Sequence, residues 1–370
     1  MIQGLLVLNY PDTYIFQRWH GTLLLYVVIF VAAGFNTFLA RLLPWIEGSI
    51  LIIHVVGFFI VLIAVSYLGP HGTAGDVFTQ FLTLGGYTPG ASFFVGLITS
   101  VFAFLGADGA IHMSEEVKDA RNAVPKSLMA SIALNGILGL AILITTLFCI
   151  GDIDAALTTP TGFPFMEVFS QALQSTRFAT GLTSMILCLL IFACVAVLAA
   201  TSRVTWALAR DDGIFFSSYL KRVDPRTQLP LWAIGFSVLV TLLLGLINIG
   251  SSAAFNAVIS LVVAAYFGSY FIPISLLAWR RIKGDPPVFG PWNLGRYGLF
   301  VNVVALVLIV IIFVFSFFPV TLPVTLTSMN WAVVLWAGSM ICGVGFYFKQ
   351  RKVFSGPSIP GRTRESVHKD

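Results

Sequence analysis

Nine long apolar runs dominate the chain, each close to the ~20 residues that an α-helix needs to cross the hydrocarbon core of a bilayer. They fall at 21–40, 46–68, 92–114, 128–150, 179–205, 231–249, 253–279, 299–320 and 331–348. The runs are continuously apolar, whereas strands of a membrane barrel alternate over segments of about ten residues. In lipid, every backbone N–H and C=O needs a partner within the protein, and helices supply one. The expected fold class is an all-α polytopic membrane protein with about nine transmembrane helices. Charge agrees with this. Only 10% of the 370 residues are charged, against about a quarter in a soluble domain.

The distribution of basic residues sets an orientation. Formal net charge is +5. If the polar tail after Lys349 is cytoplasmic and the spans alternate, all 21 Lys and Arg except Arg18 and Arg177 fall on the cytoplasmic side. Such a bias is what the positive-inside rule demands. An even number of spans would put consecutive basic loops on opposite sides. The expected organisation is one transmembrane domain over 1–348, an outside N-terminus, and a cytoplasmic C-terminal tail over 349–370. The basic residues lie in short loops, not on one polar face, so lipid and not nucleic acid is the expected macromolecular environment. No charged leader with a small-residue cleavage site precedes the first run, so no signal peptide is expected. An outside N-terminus without one hints that upstream spans are lacking.

Several classes of chemistry are not signalled. Cys149, Cys188, Cys194 and Cys342 lie in or beside apolar runs without metal-ligand spacing, and read as buried thiols acting as small apolar side chains. No metal and no cofactor is expected. The sequence lacks Gly-x-Ser-x-Gly, a phosphate-binding loop, His-Glu-x-x-His and any closely spaced carboxylate pair that would mark an enzyme.

Polar residues inside the apolar runs carry the functional signal. An Asp at the centre of a membrane helix costs about 2.5–3.5 kcal/mol on insertion scales. Asp108 sits in the third run, within Phe102-Ala-Phe-Leu-Gly-Ala-Asp-Gly-Ala-Ile-His112, flanked by Gly106 and Gly109. Two glycines around an acid mark a helix break. A break in mid-membrane frees carbonyls at the negative end of the first half-helix, where a cationic amino or ammonium group would be stabilised. The competing reading is that the glycines only let helices pack closely. His54, near the middle of the second run, is a proton-relay candidate, with a neutral His bonded to a neighbouring carbonyl as its alternative. Thr201 and Ser202 read as bonding back to their own helix. Tyr266 and Tyr270, one turn apart, read as packing, and Glu115 to Lys126 as a solvated loop in which Pro125 starts a helix.

The same third run and its following loop, Ser114-Glu-Glu-Val-Lys-Asp-Ala-Arg-Asn-Ala-Val-Pro125, resemble the sixth helix and next loop of the amino acid–polyamine–organocation permeases. Trp206-Ala-Leu-Ala-Arg-Asp-Asp-Gly-Ile-Phe215, Tyr270-Phe-Ile-Pro-Ile274 and Gly290-Pro-Trp-Asn-Leu-Gly-Arg-Tyr-Gly298 agree. The lead Ile2-Gln-Gly-Leu-Leu-Val-Leu-Asn-Tyr-Pro-Asp12 with Gln17-Arg-Trp-His20 is similar to the fungal amino acid, GABA and choline branch. The resemblance implies two inverted five-helix repeats, with the nine spans equivalent to helices four to twelve. The second repeat would be 92–279, and the first would keep only its last two helices.

Residue by residue, the resemblance implies that carbonyls around Phe102, Ala103, Phe104, Leu105 and Gly106 receive the amino group of a substrate. Phe102 would cover that substrate, with a cation–π contact worth ~0.5–2 kcal/mol for choline. Asp108 would link the site to gating and His54 would join it in proton coupling. The implied function is secondary active transport of amino acids, GABA or choline, with the proton as the coupling partner. The plasma membrane is preferred to the vacuolar membrane. The glycine-rich break of the family's first helix, which holds the substrate carboxylate, has no counterpart here. That departure keeps open a second reading, a non-transporting sensor or an inactive partner of a permease, and the expectation of an N-terminally shortened chain.

Overall fold

The structure, a computed structural model, describes residues 1–250, 252–285, 287, 289–326 and 328–354. All regular structure among them is helical. In chain order the helices are α1 (Ile2–Asn9), α2 (Arg18–Thr37), α3 (Leu43–Leu68), α4 (Ala74–Phe78), α5 (Pro89–Phe102), α6 (Gly109–His112), α7 (Ala120–Phe148) and α8 (Ile153–Leu157). They continue with α9 (Pro164–Leu173), α10 (Thr176–Arg210), α11 (Ser217–Leu220), α12 (Leu231–Gly250), α13 (Ser252–Ile282), α14 (Gly298–Phe315) and α15 (Ala332–Gln350).

Eight of these helices are long and apolar enough to cross a membrane: α2, α3, α7, α10, α12, α13, α14 and α15. The remaining expected span, 92–114, is the one whose glycines pointed to a break. It does not run as one helix. α5 stops at Phe102 after 14 residues, and only the single turn α6 follows. α15 continues to Gln350; residues 355–370, most of the expected tail, lie outside the described part. Pro125 also departs from expectation. α7 starts at Ala120, so this proline lies inside the helix and not at its start.

A segment that hydropathy reads as a plain connection is structured. α9 begins at Pro164, whose fixed φ suits a first turn, and buries Met166, Val168, Phe169 and Ala172 on one face. Phe169 and Ala172 join Val61 and Val65 of α3, Cys149 and Ala179 of α10 in the main buried cluster. Of the four cysteines only Cys149 is buried; Cys188, Cys194 and Cys342 are exposed on apolar helix faces, which corrects the reading of all four as interior.

Between helices in lipid, close approach and polar contacts replace the hydrophobic effect. α2 and α12 meet at Gly245, where a Cβ would come within 3.1 Å of the Tyr26 ring. Thr22 Oγ1 donates to the Gly245 carbonyl at 3.3 Å and the Tyr26 hydroxyl to the Leu242 carbonyl at 2.9 Å. Asn36 of α2, fully buried, donates to the Val195 carbonyl of α10 at 2.9 Å. Tyr26→Phe keeps the ring and removes one such bond, and is expected to lower unfolding stability by about 1 kcal/mol. Thermal unfolding of the purified protein in detergent checks it; an unchanged midpoint would mean that this hydroxyl holds nothing.

This packing fixes the surroundings of the broken span. α6 lies against α10 and α7, and α13 packs beside α12 and α14.

Candidate functional site

Ala103 to Asp108 form a turn between α5 and α6. The turn exists because Gly106 adopts φ +88°, a left-handed conformation that costs glycine little and other residues more. The chain closes it with short-range bonds: Phe104 N–H to the Val101 carbonyl at 3.0 Å, Leu105 N–H to Phe102 at 3.2 Å, and Gly109 N–H to Gly106 at 3.0 Å. The carbonyls of Ala103, Phe104 and Leu105 accept no hydrogen bond among the described residues. Carbonyl oxygens without a partner are free to accept from a donor or to stabilise a cation that reaches them.

Ala103, Phe104, Leu105, Gly106 and Ala107 form one wall of a cavity of about 170 Å³, and Ser131, Ile132 and Asn135 of α7 form the other. That volume is small beside the ~300–1,000 Å³ of drug-sized pockets, and matches a small solute. Asn135 Nδ2 donates to Ser131 Oγ at 3.3 Å. The aromatic ring on this cavity belongs to Phe104, which approaches α7 at Gly136. Phe102, the expected cover, ends α5 half-exposed and is not part of the lining.

Asp108 is the polar centre behind the turn. Its Oδ2 accepts from the Tyr270 hydroxyl of α13 at 2.6 Å and lies 3.2 Å from His112 Nε2, one helical turn on. Tyr266 packs on Tyr270, with ring centroids 5.0 Å apart. These tyrosines, 162 residues from the acid in the case of Tyr270, read from sequence as packing. Only the fold brings them to Asp108. His112 stands four residues after Asp108, the spacing of neighbours on one helix face, and that signal was open to the sequence. His54 is half-buried on α3; among the described residues no hydrogen bond or ion pair joins it to Asp108.

Beyond His112 the chain is clamped to α10. Arg203, buried, donates Nε to Glu116 Oε1 at 2.9 Å and Nη1 to Ser202 Oγ at 3.2 Å. Ser202 itself bonds back to the Ala199 carbonyl at 2.9 Å, as expected of a membrane serine. Two turns further, Arg210 holds Glu115 through two bonds of 3.2 and 3.0 Å. The acidic segment that reads as a solvated loop is therefore anchored at two points.

The amino acid permease family profile matches residues 1–339. The chain belongs to this family. Among its relatives, a Macrophomina phaseolina protein assigned by name to amino acid/polyamine transport is 33% identical over 333 residues, covering 89% of this chain and 73% of that protein. The choline transporter of Saccharomyces cerevisiae is 32% identical over 359 residues, 95% of this chain and 62% of the transporter. The GABA-specific permease of Saccharomyces cerevisiae is 31% identical over 298 residues, 77% of this chain and 50% of the permease. The matches thus span one half to three quarters of the length of these relatives. Family membership and the eight long apolar helices make this permease-family chain an integral multi-pass membrane protein.

Proposed function

We propose that the chain is a secondary active transporter of small amine-bearing solutes, among which amino acids, GABA and choline are the candidates, coupled to protons. The observation that carries this reading is the turn at 103–108, where residues with three unpartnered carbonyls line one small cavity and a carboxylate, Asp108, ends the same turn. Carbonyl dipoles and a negative carboxylate together stabilise an ammonium group. An interrupted span is also the element that alternating-access transporters use as a binding site and hinge. The names of relatives, choline transporter and GABA-specific permease, support the same substrate chemistry.

In this reading Ala103, Phe104, Leu105 and Gly106 bind the cation through their backbone, with Phe102 and Phe104 as the aromatic neighbours. Asp108 holds the charge balance. His54 is a second proton candidate, and a pH optimum of uptake unmoved by His54→Ala would remove it. Uptake of labelled amino acids, GABA and choline into vesicles carrying the protein, with an inward proton gradient, tests the whole. Entry of at least one of them faster than into empty vesicles is expected. If none enters faster, the transport reading is wrong. Co-purification with an intact relative would then favour the non-transporting partner.

A further inference from the structure

We propose that His112 is the proton-entry residue for Asp108, so that Tyr270, Asp108 and His112 act as one unit that holds either a proton or the positive charge of the solute. The inference deepens the transport reading and rests on it. Its ground is geometric. Both Tyr270 and His112 approach the same oxygen, Oδ2, at 2.6 and 3.2 Å. An ionised carboxylate only accepts, so the facing His112 Nε2 carries the hydrogen and Nδ1 carries the lone pair. Nδ1 has no hydrogen-bond partner among the described residues, and the His112 side chain is 35% exposed against 15% for Asp108. The histidine is thus the more exposed of the two, and its second nitrogen is free to take a proton.

The proton balance is simple. A proton from water adds to Nδ1 and makes an imidazolium paired with the Asp108 carboxylate. The Nε2 proton then passes to Oδ2, leaving a neutral acid and a neutral imidazole with the hydrogen on Nδ1. One proton enters and no other bond changes. With the proton aboard, the unit is neutral beside the carbonyls of Ala103 to Leu105 and attracts a cation less. With it gone, the carboxylate favours the cation.

The other ionisable groups nearby do not compete for the role. On α10, Arg203 and Arg210 are held by Glu116 and Glu115 of the turn after α6. On α13, Tyr266 packs on Tyr270. On α7, Arg121 and Lys126 are exposed. His112 is the group with both a bond to Asp108 and a free basic nitrogen.

The test compares the protein with its His112→Gln variant in vesicles, using labelled choline, GABA and an amino-acid mixture in parallel. Two rates are read for each: accumulation driven by a proton gradient, and counterflow against the same unlabelled solute, which needs no net proton movement. The ratio of accumulation to counterflow is expected to fall at least tenfold in the variant, with a flattened pH profile. An unchanged ratio and profile would overturn the role of His112. A second readout needs no transport: an infrared titration of the carboxylic acid band that Asp108→Asn abolishes. Exchanging the ring for an amide is expected to change the pH response of that band, and this arm decides if the variant loses both rates equally; an identical response overturns the inference. If the unsubstituted protein shows counterflow without gradient-driven accumulation, proton coupling itself is wrong and the fault lies in the transport reading.

Discussion

Asp108→Asn is expected to reduce amine uptake about a hundredfold while leaving the protein folded. The side-chain amide keeps an oxygen that can accept from Tyr270, so the contact between the turn and α13 survives and only the charge is lost. A unit charge about 5 Å from an ammonium group contributes on the order of 3 kcal/mol at an effective dielectric near 20, and each 1.36 kcal/mol is a factor of ten. Tyr270→Phe removes one bond to a charged group, worth about 1.5–3 kcal/mol, and is expected to cost about tenfold. Uptake kinetics in vesicles, alongside thermal unfolding, check both. Near-normal uptake in Asp108→Asn would mean that the carboxylate does not face the bound cation.

The second large effect belongs to the clamp on α10. Arg203 is 7% exposed, and its charge is balanced by Glu116 at 2.9 Å. Removing one partner of a buried pair strands the other, at a cost of about 3–5 kcal/mol; Glu116 is half-exposed, which reduces the expectation for Glu116→Gln to about 2 kcal/mol. Glu115→Gln breaks a pair whose two members are both well exposed, and should cost under about 1 kcal/mol. Adding Arg203→Met to Glu116→Gln removes the stranded charge, so the double variant should be more stable than Glu116→Gln alone. Denaturant or thermal unfolding of the parent, Glu116→Gln, Arg203→Met and their double variant forms the cycle, with Glu115→Gln measured beside it. Equal effects of the two glutamates would show that burial of Arg203 carries no weight.

The membrane fold was legible in the sequence because hydropathy is additive along a helix: eight of the nine runs are continuous helices, and the family resemblance agrees with the profile match. The discontinuity of the remaining run was legible for a local reason as well, since Gly106 and Gly109 bracket an acid. What pairs with that acid was not. Tyr270 comes from α13, and spacing along α13 says only that Tyr266 and Tyr270 share a face. Glu115 and Glu116 looked solvated because charge in a loop is normally solvated. The missed signal was Arg203, a fixed cation within an otherwise apolar helix that needed an anion from elsewhere. Ser131 and Asn135, small polar residues one turn apart on α7, escaped for want of any cue to the cavity they line. Short helices such as α9 escaped because amphipathic burial against a membrane bundle needs only one turn or two of apolar residues.

Everything functional depends on an open backbone after Phe102. The amides of Gly106, Ala107 and Asp108 donate to no backbone acceptor among the described residues, whereas those of α7 lie in a continuous helix. Hydrogen–deuterium exchange of the protein in lipid nanodiscs, read on peptides across 100–112 and across α7, measures this difference directly. The account predicts exchange within minutes at 106–108, hours of protection along α7, and slowing at 106–108 when a transported amine is added. Protection at 106–108 equal to that of α7 would mean an unbroken helix and would contradict the binding site described above.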